Sequence, residues 1–227
     1  TVMKMRMEGA VEYPFNPEKI GGGLSVTGNI ATLTDRQFSF LPIKKLPALG
    51  ISGDVNYHPG YADGGIDITA GGGRLAASGS WTARKEDYDA DITVDRFPVQ
   101  LFMPELGVGA VSGRITVDGR GYNPMAKGTA VDANIKVNSV EYMKTTYKDI
   151  ALNASLHAGE ATGTLTSHNP GADAVVDFNA FLTGDTVRYA LDGKLNDINL
   201  LTLHLSDSVN NGHLSLRSEG FYNVMSQ

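Results

Sequence analysis

Acidic residues alternate along one segment of this chain, at Asp87, Asp89 and Asp91, with Glu86 beside them. Because alternate residues of a strand share one face, this spacing could hold a cation or supply the two carboxyls of a glycoside hydrolase. Apolar residues occupy the positions in between, which is the pattern of an ordinary amphipathic strand with its acidic side in water. We therefore expect a solvated outer face here rather than a site.

Other residue types that carry chemistry are scattered along the sequence. The five histidines include no pair at helical ligand spacing and no HExxH motif. The glycine runs at Gly21 and Gly71 lack the Lys-Ser/Thr of a phosphate loop, so we expect hairpin turns there. No GxSxG motif occurs, and the absence of cysteine excludes disulfides, thiolate catalysis and Cys-based zinc sites. The sequence predicts a protein that is not an enzyme, with no catalytic residue, no metal and no cofactor.

Composition narrows the class of partner. The 227 residues carry a formal net charge of -6 and no stripe of Lys and Arg. A nucleic acid would need such cations to neutralise its phosphates, so no nucleic-acid partner is expected. No run of about 18 apolar residues is present to span a membrane. The start, Thr1-Val-Met-Lys4, has neither an initiator Met nor the regions of a signal peptide, and we expect a piece of a longer protein.

Apolar residues recur at every second position along almost the whole chain, which predicts strands that bury one face. Turn-forming residues separate these runs, as they do in antiparallel hairpins and meanders. The predicted turns include residues 21–23, 59–60, 63–65, 71–73, 123–124, 169–171, 184–185 and 211–212.

Three apolar segments interrupt the alternation: residues 40–49, 97–106 and 198–206. The second and third could each form a short amphipathic helix or turn at the edge of a sheet, and the first could be another such lid or connection. In the first segment, Pro42 and Pro47 limit any helix to about one turn.

The chain also repeats itself, imperfectly, with a period of roughly 100 residues. Gly113 aligns with Gly212, and His58 aligns with His157, which indicates a shared structural position near a turn. No shift in composition marks a linker, so we predict one continuous β structure. The predicted units are residues 1–22, the tail of a preceding repeat, followed by residues 23–125 and 126–227.

A chain of strands with one apolar face must cover that face or leave it as a groove. We predict an all-β protein: an elongated, strongly curved, mostly antiparallel sheet that forms a taco-like groove, with one or two short helical turns. Many inward positions hold Gly, Ala, Ser or Thr, which suit a strongly curved sheet or a channel better than a dense core. A β-sandwich is the alternative fold, and the strand glycines could equally mark bulges.

The single tryptophan, Trp81, ends an inward-facing series with Leu75 and Ala77. Core packing is the ordinary explanation for such a residue, and contact with a lipid chain is the sharper alternative.

The repeat unit has a recognisable order of segments. An apolar turn in Asp95–Pro104 is followed by Val111–Pro124 and then by Val140–Leu152. Leu195–Leu203 followed by Gly212–Gly220 fits the same order. This order resembles the TamB group of the AsmA-like superfamily, in its Bacteroidetes form, over nearly the whole chain.

The resemblance implies an internal or C-terminal-half fragment of a long periplasmic protein, anchored in the inner membrane by a helix outside this sequence. It implies outer-membrane biogenesis: phospholipid transport between the membranes along a hydrophobic groove, and/or assembly of outer-membrane proteins within a translocation and assembly module. The expected partners are phospholipid acyl chains or outer-membrane protein clients, with an outer-membrane barrel partner for the full-length protein. The residues predicted to face the groove are Ile66, Ile68, Leu75, Trp81, Ile92, Val94, Ile115, Val117, Ile135, Val137, Leu152, Leu165, Phe178, Leu191, Leu214 and Leu216.

The competing hypothesis is a β-sandwich binding module that recognises a glycan or a protein through loops such as Tyr57–Tyr61. One observation separates the two hypotheses. In a groove the alternating apolar residues line an open channel, whereas in a sandwich they pack against a second sheet. The residues that decide this are Ile92, Val94, Ile115 and Val117.

Overall fold

The computed structural model describes residues 3–31, 33–34, 45–143, 145–183, 186–199 and 211–223. They form one antiparallel sheet of 13 strands and a separate pair of two-residue strands. The strands are β1 Met3–Glu12, β2 Gly21–Ile30, β3 Leu33–Thr34, β4 Lys45–Leu46, β5 Leu49–His58, β6 Tyr61–Ala70, β7 Gly73–Thr82, β8 Asp87–Pro98, β9 Val108–Arg120, β10 Ala130–Tyr142, β11 Thr145–His157, β12 Glu160–Asn169, β13 Ala172–Thr183, β14 Thr186–Asn199 and β15 Asn211–Asn223.

Each long strand pairs with the long strands before and after it in sequence, while β3 and β4 pair only with each other. The strands β1 and β15 lie at the two edges, and no pairing within the described residues joins them, so the sheet is open. At about 4.8 Å per strand, the 13 strands extend over roughly 58 Å. The predicted all-β fold, an elongated and curved antiparallel sheet, is confirmed.

The sheet is a single layer, and the β-sandwich alternative is wrong. Among the described apolar side chains other than proline, only Leu49, Ala70 and Tyr147 are buried, at 8 %, 4 % and 6 % exposure. The chain exposes 14842 Å² of surface. A compact protein of this mass would expose about 10,000 Å². A second sheet would have buried the central residues of β8 and β9, which are half-buried.

Two-residue turns set the register of several hairpins. Gly71 and Gly72 join β6 to β7 with φ of 54° and 84°, and Ala158 and Gly159 join β11 to β12 with φ of 49° and 88°. Positive φ at both central residues gives the mirror-image turn whose twist matches that of the flanking strands. Turns join strands at residues 59–60, 71–72 and 170–171, within the predicted stretches, whereas Gly73 and Asn169 already belong to β7 and β12.

Three predicted turns lie inside strands instead. Residues 21–23 and 211–212 begin β2 and β15, and residues 63–65 belong to β6. Gly64 serves close backbone approach there: a Cβ on it would stand 2.5 Å from the carbonyl oxygen of Asp54. The turn predicted at residues 184–185 lies outside the described residues.

The apolar segment at residues 97–106 forms two single-turn 3-10 helices, Val99–Leu101 and Pro104–Leu106, after the end of β8. The rings of Phe97 and Phe102 stack at 5.2 Å, which folds this segment over the end of the sheet. The apolar segment predicted at residues 198–206 begins within β14, and its residues 200–206 lie outside the described part, as do residues 40–44 of the first segment. No described helix is long and apolar enough to cross a membrane.

The strands follow the sequence repeat. By residue correspondence, β5 to β9 match β11 to β15. His58 and His157 are the last residues of β5 and β11, each directly before a two-residue turn, which confirms their predicted shared position. The exact repeat boundaries stay a prediction.

Candidate functional site

Strand pairing aligns apolar residues into a row that crosses all 13 strands. Directly paired residues of antiparallel strands point to the same side of the sheet, so the register defines this row without reference to side-chain contacts. We call it the middle row, and the side of the sheet that carries it the apolar face. Its members in strand order are Met7, Val26, Gly53, Ile66, Ala77, Ile92, Ile115, Ile135, Leu152, Leu165, Val176, Gly193 and Leu216.

The rows on either side of the middle row are also apolar or glycine almost throughout. One contains Ile68, Leu75, Val94, Val137 and Leu214, and the other contains Val117, Phe178 and Leu191. By register, all 16 residues predicted to face the groove fall on the apolar face. The side chains at positions 214 and 216 lie outside the described part of the chain. Contact of these residues with lipid stays a prediction.

No second layer in the described part of the protein covers the middle row or the rows beside it. Ile66 and Leu165, in the middle row, are 42 % and 39 % exposed. Side chains of Ile92, Ile115 and Ile135 are half-buried, because neighbours in the same sheet shield their flanks and no second layer shields their tips. The face is therefore open to a ligand along its whole width.

An outer row on the same face carries aromatic rings on β5, β7, β8 and β14, at the strand ends next to the turn at Pro59-Gly60, whereas from β9 to β13 it holds Gly119, Val131, Leu156, Ala161 and Ala180. Its rings are Tyr57, Trp81, Tyr88 and Tyr189, which the register places two residues beyond the neighbouring apolar row. Tyr122 joins them from the loop after β9: its ring stacks on Tyr88 with centroids 6.3 Å apart, and its hydroxyl accepts a hydrogen bond from the Trp81 indole. We call these five residues the aromatic row.

Glycines act as platforms for these rings. A Cβ on Gly119 would overlap the ring of Tyr88, and one on Gly220 would stand 2.6 Å from the Tyr189 hydroxyl oxygen. Each ring thus lies across the glycine of its paired strand. The small residues predicted to permit curvature have this additional steric role.

Trp81 is 37 % exposed, so core packing is the wrong explanation for it. The sequence pattern placed Tyr88 with Ala90 and Ile92, and Tyr189 with Leu191, on the apolar side of their strands, and the register confirms this. It missed Tyr57 and Tyr122 as members of this face. Tyr122 belongs to a loop with no periodic signal.

The opposite side of the sheet is polar. Asp87, Asp89 and Asp91 lie on it, as predicted, and Arg120 Nε donates to Asp87 Oδ1 at 2.7 Å. Arg114 binds Asp91 through two hydrogen bonds, one of them 3.0 Å from Nε to Oδ1. These guanidinium hydrogen bonds hold the pKa values of both carboxyls below their ordinary value. Asp89 accepts a hydrogen bond from Ser80.

Depressions on the polar face are shallow. One depression has a volume of about 350 Å³ and is lined by Arg120 and by an acidic row that consists of Asp89, Asp118 and Asp132. Among the described residues, no group of three or more His, Asp or Glu side chains is arranged to hold a metal ion. The polar face therefore presents solvated charges, and the apolar face is the candidate functional surface.

Comparison of the chain with family models, with curated proteins and with solved structures finds no match.

Proposed function

We propose that this chain is a segment of a periplasm-spanning, TamB/AsmA-like protein whose apolar face carries phospholipid acyl chains between the inner and outer membranes. The observation that supports the proposal is the continuity of this face across 13 strands without a covering layer in the described part. Soluble monomers rarely expose apolar patches beyond about 300–600 Å². The middle row, the two rows beside it and the aromatic row, about 6.8 Å apart on a sheet roughly 58 Å wide, span about 1,200 Å².

Such a face would hold a lipid firmly without trapping it. Burial of one methylene is worth about 0.8 kcal/mol, so a chain of about 14 methylenes covered on one side gains roughly 5–6 kcal/mol. The middle row offers nearly the same surface on each successive strand, from Ile92 to Leu165. A lipid would therefore move between equivalent positions on successive strands, as transport requires.

A second candidate function is assembly of outer-membrane proteins with a barrel partner. It is supported by the open sheet: β1 and β15 each pair on one side only within the described residues. An unpaired strand edge can template an extended client segment through main-chain hydrogen bonds. Deletion of the parent protein would then lower specific outer-membrane barrels while the lipid distribution stayed unchanged.

Photo-crosslinking from the two faces of β10 tests the lipid proposal. A benzoylphenylalanine at Ile135, on the apolar face, is compared with one at Asn134, its exposed neighbour on the polar face. The full-length protein is irradiated in cells, purified and analysed for attached lipid by mass spectrometry. We expect phospholipid from position 135 and little from position 134. Recovery from neither position, or equally from both, would exclude a lipid-carrying apolar face.

A further inference from the structure

The two ends of the strands differ on the apolar face. At one end, the rings of the aromatic row are open to solvent: Tyr57, Trp81, Tyr122 and Tyr189 are 45 %, 37 %, 54 % and 38 % exposed. Each ring combines an apolar body with a hydroxyl or indole N–H. Such residues favour a boundary between hydrocarbon and a polar, hydrated phase.

The other end is covered. Leu49, Ala70 and Tyr147, the three buried apolar residues other than proline, all lie there. The 3-10 segment folds onto the same end, with the Leu101 side chain placed where a Cβ on Gly71 would be 2.8 Å from it. Among the described residues, no exposed Tyr or Trp lies at this end, where the 3-10 segment exposes the side chains of Leu101, Met103 and Leu106 instead.

The rows between the two ends are suited to hydrocarbon. Three rows in which Ile, Val, Leu, Ala and Gly predominate, and which include Phe178, lie between the aromatic row and the buried end. From the aromatic row to the third of them is about 20 Å, because each row is two residues, or about 6.8 Å, further along the strands. The hydrocarbon of one membrane leaflet is about 15 Å deep, half of the bilayer core. An acyl chain that starts at the aromatic row thus fits within these rows.

We propose that the apolar face binds glycerophospholipids in one orientation, with the glycerol-phosphate region at the aromatic row and the acyl chains running along the strands toward the buried end. The proposal rests on the lipid-carrying function given above and adds the direction of the ligand and the residues that set it. Each lipid would lie along the strands with its headgroup at the same end. Neighbouring lipids would move from one strand to the next in this shared orientation.

The single tryptophan makes this orientation measurable. The 227-residue chain is loaded with phosphatidylcholine that carries a nitroxide either on the headgroup or near the end of an acyl chain, and Trp81 emission is recorded. We expect the headgroup nitroxide to quench Trp81 more strongly than the deep one. A second reporter, Trp81→Phe combined with Leu75→Trp, lies six residues along β7, about 20 Å away, and should show the reverse order.

The outcomes separate the orientation from the function. Equal quenching by both lipids at both reporters, or stronger deep quenching at Trp81, would overturn the single orientation while leaving lipid binding intact. Absence of quenching by either lipid at either reporter would overturn lipid binding itself. Circular dichroism of the double variant verifies that the sheet is retained before the comparison is made.

Discussion

At the scale of single residues, the paired glycines and rings are the features most open to test. Gly119→Ala would place a Cβ against the Tyr88 ring, which in turn stacks on Tyr122. We expect a loss of about 1–3 kcal/mol in unfolding free energy, since the ring has to move to a poorer position. Denaturant unfolding followed by Trp81 emission measures it, because Trp81 donates to Tyr122.

Gly128→Ala is the matched control for that substitution. No atom lies within 4 Å of a Cβ built on Gly128. The control should change stability by less than about 0.5 kcal/mol. An equal effect of the two substitutions would show that the glycine matters for its backbone freedom and not for the ring that rests on it.

The Arg114–Asp91 pair on the polar face predicts an acid-sensitive contribution to stability. The guanidinium hydrogen bond lowers the folded-state pKa of Asp91 from its ordinary value of 3.8. A depressed pKa stabilises the fold above the unfolded pKa, and this contribution disappears as the pH falls through the folded one. Thermal unfolding should therefore show that Asp91→Asn lowers Tm near neutral pH, that its difference from wild type begins to shrink as the pH falls below 3.8, and that the difference vanishes only below the lower folded-state pKa. A difference that persisted at lower pH would contradict this cause.

At the scale of elements, one side chain repairs an irregularity in β11. Asp149 has φ of 51°, and beside it the Lys148 backbone pairs with the Asn169 side chain of β12: Lys148 N donates to Oδ1, and Nδ2 donates to the Lys148 carbonyl, each at 2.6 Å. Asn169 is 5 % exposed. Asn169→Ala would leave two backbone groups unpaired, at a cost of about 1–3 kcal/mol.

Hydrogen exchange of the Lys148 amide reads that change directly. We expect exchange at this amide to accelerate in Asn169→Ala, while Asn153→Ala, an exposed substitution on the polar face of β11, leaves it unchanged. Unaltered protection of the Lys148 amide in Asn169→Ala would mean that backbone pairing alone holds the irregularity at Asp149.

Strand positions followed from alternation, and the limits of that prediction are physical. The backbone of a strand points successive side chains to opposite faces. Apolar residues at every second position therefore identified the strands and the residues that share a face. The local sequence does not reveal the role of a glycine, because glycine suits a tight turn and the close approach of two backbones equally well. Residues 71–73 contain a turn, while residues 63–65 are strand, and the difference depends on the neighbouring strand, which a local pattern does not contain. Tyr122 was missed for the same reason.

At the scale of the whole molecule, apolar side chains should contribute unequally to the free energy of unfolding, because they differ in burial. Leu49 and Leu165 are the same residue type, but they are 8 % and 39 % exposed. Leu49→Ala is expected to cost about 2–4 kcal/mol, in the range of buried leucines, and Leu165→Ala less than about 1.5 kcal/mol. Equal losses by chemical denaturation would indicate that another molecule or another part of the protein covers the apolar face in solution.

The order of strand pairing has a consequence for length. Since long strands pair only with their neighbours in sequence, and β15 holds the place in its repeat that β9 holds in the one before, six strands form a unit that can be added without rearranging the rest. Each added unit would lengthen the sheet by about 29 Å. Duplication or loss of one unit would thus adjust reach in fixed steps and leave both surfaces unchanged, so a chain of this design can be fitted to the distance it has to bridge.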